Sequence, residues 1–154
     1  MHTTAARCAR DVMDTVPVIT RFIRSQVRSH RIAGLSVTQF RVLLFISRCR
    51  GSSLSAVADH VGLSLSSVSR MADNLVTRGL LVRQPRRDDR RGISLSVTPR
   101  GDRTIRATRK ATQADLAEKL DALNREQQAM IIRAMQVLQP VFAVPFSPKL
   151  RSVR

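Results

Sequence analysis

Tryptophan and tyrosine are absent from the 154 residues, and five phenylalanines are all that represent the aromatics. Proteins that bind single strands by stacking bases need exposed aromatic platforms. This shortage argues against an RNA-recognition or OB-type sheet and favours a helix placed in a groove. Cysteine is scarce as well. Cys8 and Cys49 are too few for a disulfide framework, which points to a reducing compartment and a cytoplasmic protein. No apolar run approaches the roughly 18 residues of a membrane helix. The opening segment MHTTAARCARD lacks the apolar stretch of a secretion signal, so no membrane partner is expected. No nucleophile–base pair, glycine-rich phosphate loop or metal-ligand cluster is spelled out, and the expectation is that the chain is not an enzyme. His30 and His60 have no ligand-type spacing with each other or with a cysteine, so neither metal nor cofactor is expected.

Acidic residues are few: 11 against 27 basic ones, for a net charge of +16 and a pI near 11.9. Such a balance implies an anionic partner, most commonly nucleic acid. Lysine is rare within that excess, at Lys110, Lys119 and Lys149 only. The remainder is arginine, whose fork suits phosphate and guanine edges, although a GC-rich genome would produce the same bias.

What is present is a series of helices with clear punctuation. Val12, Val16, Ile19, Ile23 and Val27 recur at three- and four-residue steps, predicting a helix over 7–31 that Pro17 kinks or starts. Ser36-x-x-Gln39 has the form of a capping box for a dense apolar helix reaching about Arg48. Gly51-Ser52-Ser53 reads as a loop, with Ser53 capping a short helix over 54–60. Gly62 allows a tight turn, Ser64 caps a helix over 65–78, and Gly79 stops it. Two short helices joined by such a turn form a helix-turn-helix pattern. In the second, Val68, Met71 and Leu75 point inward, and Ser66, Ser67, Ser69, Arg70, Asp73, Asn74 and Thr77 outward.

Leu80–Val82 begins a strand, and Ile93, Leu95 and Val97 alternate with Ser94 and Ser96 as another. The segment between, Gln84 to Gly92, reads as a polar hairpin tip rich in arginine. Thr98-Pro99 opens a long helix to about Ala122. Asn124-x-x-Gln127 caps a last helix carrying Ile131, Ile132, Met135 and Leu138, which Pro140 is expected to end.

The ordered set is Ser36-x-x-Gln39-Phe40-x-Val42-Leu43, Val57-Ala58-x-x-Val61-Gly62-Leu63-Ser64, Val68-Ser69-Arg70, Leu75-x-x-x-Gly79-Leu80, Asp89-Arg90-Arg91 and Leu95-x-Val97-Thr98-Pro99-x-Gly101. Across residues 10–139 it resembles the MarR family of bacterial transcription regulators. The resemblance implies a mainly α fold with a small β-hairpin wing. Residues 1–154 would form one domain: a winged helix-turn-helix lobe over 36–98, N- and C-terminal dimerisation helices over 7–34 and 99–142, and a tail over 143–154. It also implies a homodimer on a pseudo-palindromic operator in double-stranded DNA. The family's Asp-x-Arg falls on Asp89 and Arg91, the arginine reaching the minor groove and the aspartate bracing the wing. Asp88 beside Asp89 leaves that pairing open by one residue. Arg86, Arg87, Arg100 and Arg103 make the wing region more basic than the family pattern.

The expected DNA contacts are Ser64, Ser66, Ser67, Ser69, Arg70 and Asn74 on the helix, and Arg86, Arg87, Asp89, Arg90 and Arg91 on the wing. Helix-terminal N–H groups and hydroxyls suit phosphates and base edges, and arginines suit guanine or the minor groove. The resemblance also places an effector site among Arg21, Phe22, Phe40, Arg41 and Arg106, suited to a small aromatic or anionic ligand; Phe22 and Phe40 serve equally well as core. Cys49 ends a helix between Arg48 and Arg50, a cationic setting for a redox-sensing thiol, with Cys8 the other candidate. The expected function is a sequence-specific regulator, a repressor released by a ligand or oxidant. The alternative is a non-specific, basic architectural protein.

Overall fold

Caps and glycines set the helix boundaries. The computed structural model describes residues 4–31, 34–85 and 93–142. Within them lie helices α1 (Thr4–His30), α2 (Val37–Arg48), α3 (Leu54–Val61), α4 (Leu65–Thr77), α5 (Pro99–Leu120) and α6 (Arg125–Phe142). Three short strands accompany them: β1 (Ser52–Ser53), β2 (Leu81–Pro85) and β3 (Ile93–Val97).

Ser36 and Gln39 close the capping box of α2 reciprocally, the Gln39 N–H donating to Ser36 Oγ at 3.0 Å and the Ser36 N–H to Gln39 Oε1 at 2.8 Å. Asn124 and Gln127 repeat the device at α6, at 2.9 and 3.0 Å. The stop after α4 is a Schellman turn. Gly79 adopts φ 67°, its N–H donates to Val76 O at 2.8 Å, and Leu80 N–H donates to Leu75 O at 2.9 Å.

The chain forms two compact units, residues 1–115 and 116–154. In the first, one core joins Leu35, Phe40, Leu43 and Ile46 at α2 to Val57 of α3, to Val68, Ala72 and Leu75 of α4, and to Leu80, Leu81, Leu95 and Ile105. Val27 of α1 packs against its edge. Near the end of α1, His30 Nε2 and Asp115 Oδ2 of α5 lie 2.5 Å apart. In the second unit, Gln128 Nε2 donates to Leu120 O and Leu123 O at 3.0 and 3.2 Å.

The sheet has the order β1-β3-β2, antiparallel throughout. Three expectations change here. Ser52-Ser53, read as loop, is a strand paired with Ser94-Leu95, a long-range pairing that two serines do not announce. Gln84-Pro85, read as hairpin tip, belongs to β2 and pairs with Ile93-Ser94; β2 is an edge strand, where a proline lacking its N–H is tolerated. Pro140 does not end α6, which runs on to Phe142, and α1 passes through Pro17. Each proline forgoes one N–H donor to the carbonyl four residues earlier.

The start of α5 is fitted against the end of α4. Thr98 Oγ1 donates to Gly79 O at 2.6 Å and accepts the Gly101 N–H at 3.1 Å, and Thr98 N–H donates to Leu80 O at 3.1 Å. A Cβ on Gly101 would lie 2.3 Å from Leu80 O and 2.6 Å from Val97 Cγ1, so only glycine fits this approach.

Candidate nucleic-acid interface

Helix α4 presents its first turn to solvent through a cluster of serine hydroxyls. Ser64, the N-cap, accepts the Ser67 N–H at 3.3 Å and donates its hydroxyl to Ser67 Oγ at 2.9 Å. Ser64 has one proton to give, so the 3.1 Å contact with Ser66 Oγ has Ser66 as donor. The Ser67 proton and the Ser66 lone pairs are then left to face outward, a mixed donor–acceptor surface at the positive end of the helix. Ser69 is half-buried and Arg70 exposed one turn further on.

Asn74 is exposed, but its carbonyl is engaged: Gln39 Nε2 donates to Asn74 Oδ1 at 3.1 Å. Its amide remains a donor, which suits a phosphate or a guanine edge. Gln39, expected only as a cap of α2, therefore also ties α4 to that cap.

Asp73 is the one acid of α4, and it is neutralised. Arg83 Nη2 of β2 lies 2.7 Å from Asp73 Oδ1. Sequence reasoning missed this pair. A signal existed, since the alternation that buries Leu81 places Arg83 on the same face of β2, where a cation needs a partner. The pair leaves Arg70 without a competing carboxylate on its helix and ties α4 to the wing. Ser94 Oγ donates to Gln84 O at 3.1 Å and closes the described part of the hairpin. The wing residues Arg86, Arg87, Asp89, Arg90 and Arg91, with Asp88, lie outside the described residues, as does the 143–154 tail.

The expected effector residues fall in different surroundings. Phe40 is core, Phe22 is half-buried, and Arg41 and Arg106 are exposed. Arg21 lines a hollow of about 690 Å³ along α1 with Val16, Pro17, Thr20, Arg24, Ser25 and Arg28. A second hollow, about 330 Å³, is polar and lined by Ser47, Arg50, Gln84, Ser96, Val97, Pro99 and Asp102. Cys8 is exposed, and Cys49 caps the end of α2, half-buried against the core. His60 of α3 stacks on Phe45 with ring centroids 4.2 Å apart. Its pKa is lowered from the ordinary 6.5, first by partial desolvation and then by the nearby Arg41 and Arg48. Among the described residues, no cluster of His, Cys, Asp and Glu is gathered as metal ligands, and no helix is long and apolar enough to cross a membrane.

A sequence model of the MarR family matches residues 33–92, a range that holds α2, β1, α3, α4 and β2. The regulator YfiV of Bacillus subtilis is 23% identical over 68% of this chain and 65% of its own length. An HTH-type regulator of Mycobacterium bovis is 27% identical over 86% of this chain and 91% of its own. The B. subtilis repressor MdtR is 30% identical over 61% of each chain. Two of the three matches thus cover less than two thirds of the relative. Among solved structures, apo MarR from E. coli superposes with a TM-score of 0.67 at 21% identity, covering 86% of this chain and 96% of that one. FabT from Streptococcus pneumoniae, solved in complex with DNA, gives 0.60 at 20% identity over 88% and 92%. At these identities the superpositions speak to fold.

Proposed function

We propose that this chain, which belongs to the MarR family of winged-helix, DNA-binding transcription regulators, works as a homodimeric repressor at a pseudo-palindromic operator. The observation that carries this reading is the serine cluster and Arg70 at the free N-terminal end of α4, on a lobe whose one recognition-helix acid is neutralised by Arg83. Such an end enters the major groove, and its polar groups meet base edges and phosphates. A net charge of +16 supplies the non-specific attraction on which that readout builds. Repression is favoured over activation by the relative named as a repressor, MdtR. Dimerisation is favoured by α1 and α6, whose apolar side chains are at most half-buried among the described residues. Two lobes then address half-sites about 34 Å apart. A small anionic or aromatic effector, or oxidation of Cys49, changes the lobe spacing and releases the operator. Arg91 is assigned to the minor groove, with Arg86, Arg87 and Arg90 around it and Asp89 as brace.

The test is fluorescence anisotropy against the intergenic DNA flanking the chain's own gene, with a scrambled duplex as control, at several salt concentrations. A preference above roughly 10³ is expected, with Arg91→Ala weakening it while the dimer stays intact. Equal affinity for both duplexes, with a steep salt slope, favours the architectural reading for this DNA. Unchanged affinity of a folded Arg91→Ala removes that residue from the interface.

A further inference from the structure

Two leucines stand in solvent beside the serine cluster. Leu63, in the turn between α3 and α4, is 38% exposed, and Leu65, the first residue of α4, is 52% exposed. Neither belongs to the core or to the apolar residues packed against it. Helix initiation does not call for Leu65, because Ser64 performs the capping, whereas Leu63 precedes the cap, where an apolar residue can also pack toward Val68. The residues that follow Leu65 in the first turn are Ser66 and Ser67. Apolar surface held in water at the leading end of a recognition helix gains free energy by meeting another apolar surface. In the major groove of DNA, the apolar group on a base edge is the C5-methyl of thymine.

We propose that Leu65, with Leu63 beside it, is a specificity-determining residue that packs on the C5-methyl of a thymine in each half-site. This rests on the major-groove placement of α4 proposed above and adds what the serines lack. A hydroxyl can donate or accept, so Ser66 and Ser67 tolerate several bases. A methyl contact separates thymine from cytosine and from both purines.

The full-length chain is used to enrich duplexes from a random pool. Each thymine of the enriched half-site is then replaced by deoxyuridine, which removes only the methyl group, and binding is compared for the natural chain, Leu65→Ala and Leu65→Val. Both variants change an exposed position and leave the Ser64 cap in place, and thermal melts verify folding. One thymine per half-site is expected to matter. Its replacement weakens the natural chain about fourfold, the value of one buried methyl. Leu65→Val keeps part of that sensitivity, and Leu65→Ala loses it. Insensitivity at every thymine, or an equal loss in Leu65→Ala, overturns the assignment while leaving sequence-specific binding in place. A pool that enriches no motif overturns the specific-regulator reading and this inference with it.

Discussion

The winged lobe and helix α6 solve the problem of apolar side chains in opposite ways. The lobe draws Leu35, Leu43, Ile46, Val57, Val68, Leu75, Leu80 and Leu95 into full burial within one chain. Helix α6 has no fully buried residue: Met130 is 63% exposed, Ile132 58% and Val137 67%. Its sequence is amphipathic too, though less sharply than that of α4, so periodicity tells where a helix has an apolar face but not what covers it. The contrast teaches that the lobe is finished by its own sequence, whereas α6 is finished by a second copy under the dimer proposal.

The sharpest way to break this contrast is a pair of truncations. Leu75→Ala empties a buried site and is expected to lower the unfolding free energy by about 3 kcal/mol, read by urea denaturation. Ile132→Ala, measured at dilution where the chain is monomeric, is expected to change it by less than about 0.5 kcal/mol. The second variant should instead shift the monomer–dimer equilibrium in sedimentation. Equal losses of stability from both would end the distinction.

Gly101→Ala comes next. The added Cβ must displace the Leu80 carbonyl and Val97, so a loss of about 2 kcal/mol is expected, together with weaker DNA binding. Full stability in the same denaturation assay would show that the joint yields easily.

Breaking the pair between α4 and β2 has a smaller effect, because Asp73 is well exposed. Asp73→Asn should cost about 0.5 kcal/mol of stability. It also frees Arg83 to approach phosphate, so a rise in non-specific DNA affinity with a steeper salt slope is expected. A variant matching the natural chain in both readouts leaves Arg83 without a positioning role.

The smallest effect belongs to His60. Its folded pKa lies below 6.5, so the folded lobe prefers the neutral ring. Above pH 6.5 both folded and unfolded chains hold it neutral and the stacking contribution is complete. As pH falls from 6.5 toward the lowered folded value, the unfolded chain takes up the proton first and that contribution is lost. His60→Phe should flatten this part of the pH–stability curve; a natural chain already flat there would remove His60 from the account.

Much of the lobe was readable from local signals. Ser36 with Gln39, Ser64, Gly62 and Gly79 act within four residues of themselves, and the helices they bound follow. What was not readable depends on partners distant in sequence. Ser52-Ser53 becomes a strand only because Leu95 comes to lie beside it. Pro140 is tolerated because it falls in the last turn of α6, where few further backbone bonds remain to be lost. The candidate site divides the same way. The serines and Arg70 were evident as an outer face, but the engagement of Asn74 by Gln39 and of Asp73 by Arg83 required two other elements to be placed.

The seam at Thr98 and Gly101 has a mechanical consequence. The last two residues of the turn that stops α4 accept hydrogen bonds from Thr98, and the glycine that follows leaves no clearance for slip. A torque applied to the first turn of α5 is therefore delivered directly to the trailing end of α4. Helices α5 and α4 thus meet at a stiff coupling, and its play is set by the absence of a single carbon atom.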